Sequence, residues 1–154
     1  MAFTLRDGNA DDVESLWRID QTCFSQGIAY SRQELRFFMR RRGAFTLVAE
    51  DDVADAADKI GGFIIAQAGA MGHIITIDVV ASARRSGLGS QLLLAAEERL
   101  RLGGSRAVNL ETAVDNRGAL FFYKRHGYEV MEAIPRYYAD GADAFLLRKA
   151  LNAA

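Results

Sequence analysis

The chain has 154 residues, half of them apolar and a quarter charged, with 19 basic against 20 acidic side chains and a formal net charge of -1. This predicts one compact domain over residues 1–154 and excludes disorder, collagen-like repeats and solenoids. The balanced charge argues against a nucleic-acid binder, and no apolar run approaches the roughly 18 residues of a membrane span. A single Cys23 excludes an internal disulfide framework, and His73 and His126 lie too far apart in sequence for ligand spacing, so no metal is expected. The start is polar by its seventh residue and does not fit a signal peptide, which makes the cytoplasm the expected compartment.

Phe3-Thr4-Leu5-Arg6 alternates apolar and polar as a short strand does. Asn9, followed by Asp11 and Asp12 and then by Val13, Leu16, Trp17 and Asp20 at helical spacing, predicts a capped amphipathic helix with acid in its first turn. Cys23 to Tyr30 has no period and is read as a loop. Ser31 with Glu34 forms a capping box that opens a second helix with Leu35, Phe38 and Met39 on one face, and Arg40-Arg41-Arg42 closes it with cations. Strands are expected over Ala44–Glu50 and Ile60–Gln67, joined by an acidic hairpin loop over Asp51–Lys59. Gly72 to Val80, rich in β-branched residues, is a further strand.

After Gly87-Leu88-Gly89 the period becomes 3.6, with Leu88, Leu92, Ala96 and Leu100 on one stripe, and Gly103-Gly104 ends the helix. Ala107 to Thr112 alternates again, Asp115 or Asn116 caps another helix, and Gly127 ends it. Tyr128–Met131 and Ala144–Leu147 are the expected last strands. The order β, α, α, β, β, β, α, β, α, β, β describes one mixed α/β layer without linker or repeat.

Arg84-Arg85-Ser86-Gly87-Leu88-Gly89-Ser90 stands between a strand and a helix. With 14 Gly in the chain, one Gly-x-Gly triplet is expected about once by chance, so the context carries the weight. Gly87 and Gly89 permit close backbone approach, the helix start offers free N–H groups, and two Arg add charge-assisted contacts. Such a loop can cradle a pyrophosphate, or it can simply join two elements. A P-loop would need a Lys-Ser/Thr pair where Ser90-Gln91 stands, and a Rossmann fingerprint a third Gly where Leu92 stands.

The spacing R-x-x-G-x-G after a strand resembles the GNAT superfamily of acetyl-coenzyme A dependent N-acetyltransferases, as does the whole segment Gly72–Leu102. The resemblance runs on through Asn109-Leu110-Glu111, Asp115-Asn116, Leu120-Phe121-Phe122-Tyr123 and His126-Gly127-Tyr128-Glu129-Val130. The block from Tyr137-Tyr138 to Leu147 is similar to protein Nα-acetyltransferases, including the ribosomal-protein alanine type and archaeal relatives. The resemblance implies a mixed, mostly antiparallel sheet of six to seven strands with about four helices. It implies acetyl transfer from acetyl-CoA to a primary amine, foremost a protein or peptide N-terminus, by direct attack in a ternary complex, in a monomer or homodimer. A small-molecule amine acceptor and a non-catalytic CoA-binding module are the alternatives.

The resemblance assigns Glu111 as general base, though spacing alone also allows a solvent-facing strand carboxylate. It assigns Tyr123 as the acid that protonates the leaving thiolate, whereas Phe121 and Phe122 read as core. Coenzyme contacts are expected from the backbone of Ile77, Asp78 and Val79, from Arg84 through Ser90, and from Asn116, which can equally serve as an N-cap. Relatives often carry a small apolar residue where Asp78 stands; its side chain is expected to face solvent, or else to point to the incoming amine. Tyr30, Tyr137 and Tyr138 are expected walls for the acceptor. Cys23 and His73 are read as core or near-site residues, and His126 as a cation at a helix C-terminus.

Overall fold

A computed structural model describes residues 2–53 and 59–152, and the protein folds there as seven strands and four α-helices. In chain order these are β1 (Phe3–Asp7), α1 (Val13–Cys23), α2 (Arg32–Arg40), β2 (Ala44–Asp51), β3 (Ile60–Gln67), β4 (Met71–Val79), α3 (Leu88–Leu102), β5 (Ala107–Ala113), α4 (Arg117–Arg125), β6 (Glu129–Ile134) and β7 (Ala144–Ala150). The expected element order is present. The centre of the expected Asp51–Lys59 loop lies outside the described residues, and β6 runs three residues beyond the expected Met131.

The sheet has the order β1-β2-β3-β4-β5-β7-β6. Every neighbouring pair is antiparallel except β4 and β5, which are parallel. Alternation sorts the central strands onto two cores. Val48, Phe63 and Ile65 face α1 and α2, where they pack with Leu16, Ile19 and Leu35. Leu47, Ala49, Ile64 and Ala66 face the other way and pack with Leu88, Leu92, Ala96 and Leu100 of α3, joined by Tyr123 and Tyr128. Burial on both faces is why β2 and β3 read as nearly continuous apolar runs.

The Ser31 cap forms as the sequence predicts, whereas Asn9 caps a separate 3₁₀ turn and α1, with Asp12 at its N-cap, has no side-chain cap. The Asn9 side chain accepts from the Asp11 N–H while the Asp12 carboxylate accepts from the Asn9 N–H, closing a 3₁₀ turn that leads into α1. At α2 the Ser31 hydroxyl accepts from the Glu34 N–H and Glu34 accepts from the Ser31 N–H. Arg6 ties β1 to this corner through a bidentate contact with Asp12 and a bond to Glu50, each at 2.8 Å.

Two irregularities open the sheet. The β3–β4 register passes from Ile65↔Thr76 to Ala66↔Ile74, leaving Ile75 as the extra residue of a bulge. The parallel pairing of β4 with β5 covers only Met71–His73 against Ala107–Asn109. Beyond His73 the two strands separate, and the β5-facing edge of β4 has no strand partner among the described residues.

Candidate active site

The separation of β4 from β5 creates a cavity of about 990 Å³, walled by β4, β5, α4, the loop after α1 and the loop before α3. A 3₁₀ turn over Ala81–Ala83 carries the chain out of β4 and into that loop. Gly87 forms the N-cap of α3 at φ +82°, a left-handed conformation that explains the residue type, and no side chain caps the helix. The first N–H groups of α3 are therefore open to the cavity, and an anion there meets the positive end of the helix dipole. Arg84, Arg85, Gly87, Gly89 and Ser90 line this end together with Arg125 from α4. A Cβ on Gly89 would sit 3.4 Å from the Phe122 ring, a close but ordinary contact.

A free strand edge, an uncapped helix start and nearby guanidinium groups suit a ligand that joins an amide-bearing arm to a pyrophosphate. Ile77 and Val79 line the cavity. The Val79 carbonyl is already engaged by Arg84 Nε at 3.1 Å, so this residue can offer the arm only its N–H. Asn116 also lines the cavity, and its side chain accepts the Ala119 N–H as an N-cap, so the capping role is realised.

At the other end, Glu111 of β5 meets a residue that the sequence reading left without a role. His73 Nε2 lies 2.8 Å from Glu111 Oε1, reached from the last paired position of β4. The two positions are 38 residues apart, and only the short parallel register joins them, so no local spacing signalled the contact. The Glu111 side chain is only 17% exposed, which disposes of the solvent-facing alternative. The Tyr137 hydroxyl contacts the same carboxylate; burial, and then the charge of Glu111, pushes its pKa up to about 12, so it stays a donor.

Tyr123 is buried against Tyr128 and Phe122 and lines the cavity from α4. Burial, reinforced by the charge of Asp78, raises its pKa above the ordinary tyrosine value, so the hydroxyl keeps its proton until a strong base appears. Tyr30 and Tyr138 also line the cavity, and the Tyr30 O–H points to the Ile75 carbonyl of the bulge at 3.5 Å. Cys23 also lines the cavity, its thiol pushed up by burial and by Asp78.

Three expectations fail. Asp78 does not face solvent: it is 1% exposed, turned towards α1 by the alternation that turns Ile77 and Val79 towards α3. Phe121 is not core but 66% exposed, because α4 covers the sheet with its Tyr123 side only. His126 is not a capping cation; burial lowers its pKa below the usual range, and the ring bonds Ser90 Oγ at 2.9 Å.

The profile of the Acetyltransferase (GNAT) family matches residues 13–128, spanning the cavity walls from α1 to the end of α4. The chain belongs to this family. As a GNAT enzyme it is an acetyltransferase, and acetyl-CoA is its donor. N-alpha-acetyltransferase 30 of Schizosaccharomyces pombe is 30% identical over 122 residues, covering 75% of this acetyltransferase and 78% of that protein. The crystal structure of Ard1 from Thermoplasma volcanium superposes with a TM-score of 0.86 at 28% identity, covering 99% of both chains. The ribosomal-protein-S18-alanine N-acetyltransferase from Escherichia coli shares the fold, with a TM-score of 0.85 at 20% identity over 99% of this chain and 96% of that one.

Proposed function

We propose that this GNAT enzyme acetylates the N-terminal α-amine of proteins or peptides, with residues 1–154 acting as one domain in the cytoplasm. The observation that carries the reading is the Glu111 carboxylate, held at 2.8 Å by His73 in a cavity that Tyr30 and Tyr138 also line, with Tyr137 beside the carboxylate. Relatives named N-alpha-acetyltransferase support it.

An α-amine, with a reference pKa near 7.8, is partly neutral at pH 7, whereas a lysine amine near 10.4 needs about 3.5 kcal/mol more to deprotonate. One positioned carboxylate suffices for the easier task. Bound acetyl-CoA supplies an activated thioester and a thiolate leaving group. Arg84, Arg85 and the α3 N-terminus hold the phosphate end, and the free edge of β4 holds the arm. Glu111 takes the proton of the attacking amine, with His73 fixing the carboxylate rotamer. Tyr123 delivers its proton to the departing sulfur.

No membrane-spanning helix occurs among the described residues: none is long and apolar enough to cross a bilayer. The test is an acetylation panel of peptides differing in their first two residues, run beside polyamines and aminoglycosides. Turnover that depends on the first peptide residues is expected. Selective turnover of a small amine with no peptide acetylated overturns the proposal.

A further inference from the structure

Asp20, on the last turn of α1, is fully buried, and Asp78 on β4 is 1% exposed. Asp20 Oδ2 accepts the Tyr30 N–H at 2.6 Å, and Asp78 Oδ1 accepts the Thr76 hydroxyl at 2.6 Å. The second oxygen of each, Asp20 Oδ1 and Asp78 Oδ2, meets no donor from any other residue among those described, while the two carboxyls are in side-chain contact with each other. Two buried carboxylates in contact repel, and neither orphaned oxygen is satisfied. A single proton between them removes both problems.

What the pair holds is the loop Phe24–Tyr30. Asp20 grips both ends of it, since its carbonyl accepts the Phe24 N–H at 3.1 Å while its carboxylate accepts the Tyr30 N–H. This loop brings Phe24, Ser25, Ile28 and Tyr30 to the cavity wall. It also approaches the loop that carries Tyr137 and Tyr138: Gly27 lies so near Asp140 that a Cβ would be 2.7 Å from the Asp140 Cβ. Asp78 itself does not line the cavity.

We infer that Asp20 and Asp78 are positioning residues that share one proton and thereby latch the Phe24–Tyr30 loop onto β4, setting the affinity for the acceptor. The effect on the acceptor rests on the peptide-amine reading above; the latch itself does not. Burial first, and then contact with Asp20, holds the Asp78 carboxyl well above the usual carboxylate range, so the proton is lost only as the pH rises. The other titratable groups around the pair are Cys23 on α1, Tyr30, Tyr123 on α4, and Arg84, whose guanidinium bonds the Cys23 sulfur. Burial raises the thiol and both phenols, so they stay neutral and supply no cation to the pair.

Infrared spectroscopy at pH 7 on the wild-type enzyme and Asp78→Asn reads the proton directly. A protonated-carboxyl band present in the wild type and missing from Asp78→Asn is expected; no such band in the wild type overturns the shared proton. Hydrogen exchange of the Tyr30 amide across pH 6–9.5, corrected for intrinsic exchange, reads the latch. Protection should fall at the alkaline end in the wild type but stay level in Asp78→Asn, whose amide can donate to Asp20 at every pH. Identical profiles overturn the latch. Asp78→Ala, which leaves Asp20 Oδ1 orphaned, should raise the acceptor KM about tenfold, with coenzyme Kd within about twofold and rescue by Asn. An unchanged KM with altered exchange overturns the acceptor role. Failure to acetylate any peptide counts against the peptide reading instead, and the infrared and exchange results still decide the latch.

Discussion

The chemistry of this acetyltransferase concentrates in a few side chains that distant parts of the chain bring together. Glu111 and His73 meet only because β4 and β5 run parallel for three residues and then part, with His73 at the last paired position and Glu111 just beyond Asn109. Replacing Glu111 by Gln keeps the size and one hydrogen bond but removes the base. Steady-state kinetics should show kcat lowered by roughly 10²–10⁴-fold with coenzyme affinity intact; near-normal turnover would take the role from Glu111. Glu111 and Tyr123 were legible because family motifs surround them. His73 and the Asp20–Asp78 pair were not, since neither lies in a local pattern. An aspartate between Ile77 and Val79 reads as an outward-facing polar residue until α1 is seen to cover that face.

Elements shape the site through how they begin, end and separate. The capping box at Ser31 was readable because a cap is written in four consecutive residues, whereas the Asn9 cap was assigned to α1 and closes the 3₁₀ turn before it. Ser31→Ala should cost about 1 kcal/mol in a urea titration, since the Glu34 N–H loses its acceptor. The Cys23–Tyr30 segment read only as a loop, and its function appears in what it touches. Gly27 combines φ +95° with the close approach to Asp140. Gly27→Ala should therefore displace both acceptor loops, raising the acceptor KM several-fold while coenzyme Kd stays the same, measurable by peptide kinetics beside calorimetry. The end of β6 was misplaced because its pattern is masked by exposure: Glu129 to Ala133 are all exposed, so no alternation marks the strand. Pairing with β7 defines it instead.

Across the whole molecule, two carboxyl groups oppose each other in pH dependence. Asp12 is held below the ordinary aspartate value, chiefly by the Arg6 hydrogen bond, so its contribution to stability is present above about pH 4 and lost as the pH falls through the folded value. Asp78 is held above it, so its contribution is complete below about pH 4 and lost as the pH rises through the folded value. Thermal melting across pH 2.5–9.5 should show Asp12→Asn flattening the acid limb and Asp78→Asn the alkaline limb. In the proposed reading the acetyl donor's phosphates and the acceptor's amine occupy opposite ends of one cavity, and which amine enters decides the enzyme's function. The direct measurement is mass-spectrometric mapping of the acetyl group on a peptide bearing a free α-amine and one internal lysine, treated with enzyme and acetyl-CoA at pH 7. Acetylation at the α-amine, abolished when that amine is blocked, is the predicted result. Acetylation at the lysine, or an unmodified peptide beside a rapidly acetylated polyamine, would contradict it.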